Sequence, residues 1–491
     1  MFYLKKCISI FLLAAMLTGG MISCREAPEK TTAEPPETVP AESESESESE
    51  SDESGPETSD EVEIITFDGR AFNVLFRNTF QFTREITVEE LTGEIINDSI
   101  YNRNLELEER YSVTLNPISQ DEGSLNGVFQ HSVAAQDKNI DLALNHMFLT
   151  ASLATSGVAF NWHKMPNLNF DKPWWTSTVD ELTVNGIMYV TASDYCLSTF
   201  EQVWCLFFNK QLMTDLGITV TPYDLVNENK WTIDNYYDMV KDVSNDLNGD
   251  GIMDQKDMYG FNSYGGGALA AMANYWWACG ETISRFDENG QPYFAMESEK
   301  TQTVFEKMYA LLAENNITHV DTTGGKDMIF WHNQALFSSM LVKDVELNRD
   351  KDVGYGLVPY PKYDEYQDKY RTLVSGSASL MVLPATLDTA DQEFVGTMVE
   401  AFSAASYREV LPAYYETAIQ TKFAQDETMS EMLELIRSGR VFNFGYVYDL
   451  TINRDILVNL IKEKKTDLAS KIASVKNKTE QYYKKITRNF E

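Results

Sequence analysis

Phe72-Asn73-Val74-Leu75-Phe76 reads as a strand, and Ile96, Ile100, Leu107 and Tyr111 follow it at helical spacing. Val113-Thr114-Leu115 then reads as a second strand, and Asp141-Leu142-Ala143-Leu144 as another, buried one. Strand, helix and strand in this order predict an α/β unit with a parallel sheet. Later apolar stripes predict helices: Val304, Met308, Leu311 and Leu312 form one. Phe394, Met398, Ala401 and Phe402 form another, and Leu457, Ile461, Leu468, Ile472 and Val475 define a long C-terminal face. Asp287-Glu288-Asn289-Gly290, between Phe286 and Tyr293, predicts a hairpin turn in which the Asn-Gly pair accepts positive φ. Roughly 430 residues carry this pattern, too many for one ordinary core and suited to two lobes. No unit of about 20–50 residues repeats, which argues against a solenoid.

The passage Asn97-Asp98-Ser99-Ile100-Tyr101-Asn102-Arg103-Asn104 through Glu109-Arg110-Tyr111-Ser112-Val113 resembles the opening of family 1 extracellular solute-binding proteins. Asn185-Gly186-Ile187-Met188-Tyr189-Val190 and Leu206-Phe207-Phe208-Asn209-Lys210 extend the resemblance. So do Ala278-Cys279-Gly280-Glu281 and Tyr355-Gly356-Leu357-Val358-Pro359-Tyr360-Pro361. The likeness runs over roughly residues 70–425, carried by the order of these elements more than by any one of them. It implies a two-lobed, periplasmic-binding-protein-like α/β fold, each lobe a mixed sheet flanked by helices, joined by crossing hinge segments. Residues 64–180 and 327–378 are expected in lobe 1, and 181–326 and 379–491 in lobe 2. It also implies a monomer that binds a small solute, foremost a carbohydrate, between its lobes and delivers it to the permease subunits of an ABC importer.

Lys5 and Lys6, then an apolar run over 8–17, lead to Met21-Ile22-Ser23-Cys24. This is the layout of an export signal, and the run is shorter than the roughly 20 residues that span hydrocarbon. Its end resembles a bacterial lipobox, with Met21 where leucine is usual. Residues 1–23 are therefore expected to be removed and Cys24 lipidated, anchoring the protein to the cell membrane on its extracellular side. The 24–63 segment holds alternating Glu and Ser over 42–51, with 15 acids against 2 bases between Arg25 and Glu63. Such a segment has too little apolar surface to offset ordering entropy and reads as a disordered, self-repelling tether.

The net charge of −35 leaves about −24 on the body once leader and tether are set aside. That balance argues against nucleic acid and against electrostatic docking on anionic lipid. Of 5 cysteines, Cys196, Cys205 and Cys279 lie in the body, without metal spacing. One disulfide among them and three buried thiols both fit the sequence.

Asp246-Leu247-Asn248-Gly249-Asp250-Gly251-Ile252-Met253-Asp254-Gln255-Lys256-Asp257 follows the calcium-loop pattern. Asp246, Asn248, Asp250, Asp254 and Asp257 offer side-chain oxygens, Ile252 its carbonyl, and Gly251 the turn. Asp257 stands where an EF-hand has glutamate, as in a dockerin-like loop. The expected ion is structural calcium, since no substrate position is evident; a polar turn is the competing reading.

Sugars present apolar C–H faces and hydroxyl rims, so aromatic residues beside polar ones are the candidate ligand contacts. Trp276 and Trp277, Trp331 beside His332, Trp204 beside Glu201, Tyr264 before the 265–267 glycine run, and Tyr414 with Glu416 are the best placed. By resemblance, the segment around Trp276 is where family members place a sugar-stacking tryptophan. The 5 histidines make no metal helix, and no nucleophile elbow, P-loop or dinucleotide fingerprint occurs. A binding protein rather than an enzyme is expected. A glycan-binding adhesin and a secreted glycoside hydrolase with a carboxylate pair hidden among the acids are the alternatives.

Overall fold

The computed structural model describes residues 62, 64–264, 269–314, 316–419, 427–448 and 453–491. The expected leader at 1–23, Cys24, all of the 24–63 tether except Val62, and the glycine run at 265–267 lie outside the described residues. The strands are β1 (Arg70–Arg77), β2 (Val113–Gln120), β3 (Leu142–His146), β4 (Val190–Thr191), β5 (Trp204–Asn209), β6 (Tyr259–Ser263) and β7 (Ser284–Phe286). They continue as β8 (Pro292–Phe294), β9 (Thr318–Val320), β10 (Ala335–Leu341), β11 (Tyr355–Val358), β12 (Thr372–Leu373), β13 (Ser379–Val382) and β14 (Arg440–Val441).

The first strand–helix–strand unit forms as expected. Helix Ile95–Tyr111 buries Ile96, Ile100, Leu107 and Tyr111 and returns the chain so that β2 pairs parallel with β1. Its end is set by Ser112 in the left-handed region, φ 50°, whose N–H reaches back to the last turn. With β3 parallel to β1 and β13 antiparallel to both β3 and β4, the first sheet runs β2-β1-β3-β13-β4. The second sheet, β11-β5-β10-β6-β9, is also mixed: β6 is parallel to β9 and β10, and β5 is antiparallel to β10 and β11. β7 and β8 form the expected hairpin, with Gly290 at φ 73° and Asp287 accepting from the N–H groups of Asn289 and Gln291.

Two expectations are corrected. β10 and β11, which fall in the 327–378 stretch assigned to the first lobe, pair with β5 and β6 in the second sheet. β13, assigned to the second lobe, completes the first sheet, with Ser379 opposite His146. Strand pairing partners are non-local, so the local pattern of a strand does not say which sheet it joins. The chain therefore crosses between sheets from β4 to β5 and from β11 to β13. At the crossing, β12 pairs parallel with β14, which returns from far downstream. The long C-terminal face is likewise two helices, Ile456–Lys462 and Leu468–Thr487, and both pack on helix Glu299–Ala313 of the second lobe.

Helix Thr389–Ala405 is opened by a capping box, Asp388 with Asp391, and buries Phe394, Met398, Ala401 and Phe402 against the first lobe. Cys196, Cys205 and Cys279 are free and buried, and burial raises each thiol above its usual range. Among the described residues no helix is long and apolar enough to cross a membrane.

Candidate functional site

The carboxyl ends of β1 and β3 in the first sheet and of β6 and β10 in the second face one recess of about 590 Å³. Open α/β sheets place ligands at such ends, because the loops there are free to diverge around a crevice. Register defines the edges. His146 closes β3 opposite Ser379 of the first sheet, and Leu341 closes β10 opposite Trp204 of the second. Tyr264 directly follows β6 and completes the second-lobe rim.

The first-lobe side is held by Arg77, whose guanidinium donates to the Ser377 carbonyl at 2.6 Å and to Ser379 Oγ at 2.9 Å. That fixes the 375–377 segment as the recess floor. Gly376 is needed there: a Cβ would come within 2.4 Å of the Phe148 ring. The Gly376 N–H donates to the Tyr446 hydroxyl at 3.1 Å.

Five aromatic rings line the recess. Phe148 meets Tyr446 edge-on at 5.3 Å, Trp277 meets Tyr446 at 6.0 Å, and Trp204 meets Tyr264 at 5.7 Å. The Arg454 guanidinium lies 3.9 Å over the Phe148 ring, a cation–π contact. Lys343 Nζ donates to Gln81 Oε1 at 3.1 Å, joining the chain after β10 to the chain after β1. Trp204 and Gln202 are 3% and 2% exposed, yet the indole Nε1–H and the amide Nε2 have no hydrogen-bond partner. Trp162 Nε1 and Trp276 Nε1 in the core are unsatisfied in the same way; Trp204 and Gln202 differ in that their side chains also line the recess.

Burial holds the His146 imidazole below its usual pKa, with Arg77 and Arg454 adding to the effect. Its Nδ1 accepts from the Phe148 N–H at 3.3 Å, which leaves the proton of the neutral ring on Nε2. Burial raises the Asp455 carboxyl, with Arg454 and Lys462 opposing.

Of the residues read from sequence, the structure brings Trp204, Tyr264 and Trp277 together on this recess. Trp276 turns into the second-lobe core, 1% exposed and edge-on to Trp277 at 5.0 Å. Trp331 precedes β10, at the end remote from the recess, and packs on Phe330 and Tyr355. Glu201 is buried in an ion pair with Arg84, which also grips Glu346 at 2.7 and 3.0 Å. Tyr414 is buried against Phe200, and Glu416 is exposed on helix Leu411–Ile419. Sequence reasoning missed His146, Phe148, Gln202, Lys343, Tyr446, Arg454 and Asp455. Only Phe148 and Tyr446 carried a usable signal, as aromatics.

The 246–257 loop lies before β6, at the end of the sheet opposite the recess. Asp246 accepts from the N–H groups of Gly249 and Gly251, Asn248 from Asp250, Asp250 from Ile252 and Asp254 from Lys256. Asp257 accepts from Leu247 and Asp254, tying the loop's ends together. Among the described residues no three His, Cys, Asp or Glu side chains gather as a metal site.

A larger recess, about 860 Å³, is lined mainly by the β7–β8 hairpin and its flanks, away from the strand ends. Its buried carboxylate, Glu281, is already satisfied by the Ser298 and Thr301 hydroxyls.

No curated protein matches the sequence closely enough to count as a relative. Solved structures do match in fold. An ABC substrate-binding protein from Listeria monocytogenes, in complex with cycloalternan, has a TM-score of 0.51 at 9% identity, over 86% of this chain and 99% of its own. UspC from M. tuberculosis gives 0.54 at 12%, over 83% and 99%. The GacH receptor of Streptomyces glaucescens, solved unliganded and with acarbose, gives 0.51 at 12%, over 84% and 99%. These likenesses establish the fold. Residues 93–401 match the family described as bacterial extracellular solute-binding protein. With well over half its length inside that match, the chain belongs to the bacterial extracellular solute-binding proteins.

Proposed function

We propose that the chain captures a carbohydrate in the recess between its sheets and delivers it to the permease of an ABC importer. The observation that carries this reading is the pairing of aromatic walls with two buried, unpartnered donors, Trp204 Nε1 and Gln202 Nε2. Rings cover the apolar faces of a sugar, and the donors take its ring and hydroxyl oxygens. The cycloalternan and acarbose complexes of proteins with this fold support it.

Binding follows from two lobes that share one ligand. Contacts made to both lobes favour the closed state by differential affinity, and the importer would read that closed face. The test is a thermal-shift screen of oligosaccharides, followed by calorimetry on Trp204→Phe. The phenyl ring keeps most of the packing and lacks the N–H. Affinity should fall about tenfold, as expected for one lost buried hydrogen bond, with the melting temperature nearly unchanged. Release of product from an oligosaccharide would instead favour a hydrolase, and binding of polymer without closure an adhesin.

The anchor belongs to the same proposal. Cys24→Ala should leave unlipidated protein in the medium, or precursor retained in the cell; mature mutant protein still bound to membrane would exclude the lipobox reading. A structural calcium ion in the 246–257 loop is also proposed, on the spacing of its acids alone, with no part in solute binding.

A further inference from the structure

We infer that Asp321 and Gly325 are positioning residues for the recess, which hold the Tyr264 ring in one preset orientation for the solute. This rests on the reading of the recess as a carbohydrate site and adds the device that sets one of its walls. Tyr264 lines the recess, whereas Asp321 and Gly325 do not. Their effect on binding would pass through the ring alone.

The ring is tied at both ends. The Tyr264 N–H donates to Ser339 Oγ at 2.9 Å, and its hydroxyl donates to the Gly324 carbonyl at 3.1 Å. Between these ties the ring lies against Gly325. A Cβ there would come within 2.6 Å of the ring's Cε2 and 3.1 Å of its Cζ, so glycine is what lets the ring sit where it does. Gly325 also has φ 85°, a conformation that residues with side chains rarely adopt. Within the recess Tyr264 meets Trp204 edge-on at 5.7 Å, so its orientation sets the approach to the Trp204 indole. The hydroxyl proton is already engaged by Gly324, which leaves the ring itself to meet a solute.

The loop that makes these contacts is built around a buried carboxylate. β9 ends at Val320, and Asp321, 2% exposed, donates its N–H to the Ser263 carbonyl at 2.9 Å. Its carboxylate accepts from the Thr323 N–H at 3.0 Å, from Thr323 Oγ1 at 2.6 Å and from the Gly325 N–H at 2.7 Å. β9 is an edge strand, and a chain that merely leaves an edge needs neither a buried carboxylate nor successive glycines at positive φ. A fixed aromatic wall does need them. A side chain that becomes ordered only on binding lowers the affinity by the entropy of that ordering, and one held beforehand does not.

The test is made on the full chain, by calorimetry with maltotriose, cellotriose and xylotriose and by fluorine NMR after labelling with 3-fluorotyrosine. The Tyr264 resonance is identified by its loss in Tyr264→Phe. Gly325→Ala should shift that resonance in the ligand-free protein and weaken the tightest-binding sugar of these or of the wider oligosaccharide screen about tenfold. Asp321→Asn, which keeps the shape and removes the charge, should act in the same direction to a smaller degree. Melting curves show which variants fold, and Asp321→Asn carries the comparison if Gly325→Ala does not. In a Tyr264→Ala background neither substitution should weaken binding further, because the ring they position is gone. A Tyr264 resonance that stays in place, a displaced resonance without loss of affinity, or a loss that persists in full in the Tyr264→Ala background overturns the inference and leaves the glycan reading standing. If neither these probes nor the wider screen shows binding, the glycan reading fails and this inference with it.

Discussion

Glu400 sits on helix Thr389–Ala405 between two indoles, with Trp174 Nε1 donating at 3.1 Å and Trp175 Nε1 at 3.0 Å. Burial outweighs these donors and pushes its carboxyl up to about 7. A folded pKa above the unfolded one means that the native state binds the proton more tightly. The contribution to stability is then full below about pH 4.5 and is lost as pH rises towards 7. Glu400→Gln should remove this slope, gaining on the wild type by roughly 3 kcal/mol between pH 5 and 8 at most; melting at the two pH values checks it. A neighbouring contrast concerns Trp276 and Trp277. Trp276→Ala should cost roughly 3–5 kcal/mol of stability and leave affinity alone. Trp277→Ala should reduce affinity as well, because that ring also lines the recess. Sequence could not separate the two, since adjacent helical residues point about 100° apart and only the surrounding packing says which direction is core. Gln202 was equally silent: its importance lies in a missing partner, which no residue type announces.

Elements with a sustained period were legible. The stripe of helix Ile95–Tyr111 is buried as its spacing requires, although Arg103 and Asn104 are buried with it. Their partners, the Glu85 and Ile86 carbonyls and Ser406 Oγ, lie outside the helix, so its own periodicity could not foretell them. Strand membership was not legible for the same reason, as β10, β11 and β13 show. The 246–257 loop tests how far spacing alone carries. If calcium binds, metal-stripped protein should melt lower than calcium-loaded protein, by mass action on the native state, and Asp250→Ala should abolish the difference. Identical melts would leave the carboxylates with the one role already visible, closing the loop on its own N–H groups. Either outcome should leave solute affinity unchanged, because β6 separates the loop from the recess.

At the scale of the whole molecule, the proposed closure predicts that saturating ligand lowers the radius of gyration in solution scattering; an unchanged profile would mean capture without closure. The bonds of Lys343 to Gln81 and of Arg84 to Glu346 join the segment after β10 to the segment after β1. They are the contacts on which the balance between open and closed forms should depend. β13 has a consequence of another kind. It pairs with β3 at a distance of 233 residues, and β4 pairs with β13 alone, so the first sheet is unfinished until residue 382 has been made. A nascent chain cannot bank its first half as a folded lobe. The first lobe stays open, because its decisive pairing is so distant, until most of the chain has been synthesised. Under the export proposed for this chain, such late completion would keep it threadable through a translocation channel. A fragment ending at residue 370 should accordingly be digested rapidly by protease, whereas the full-length chain resists.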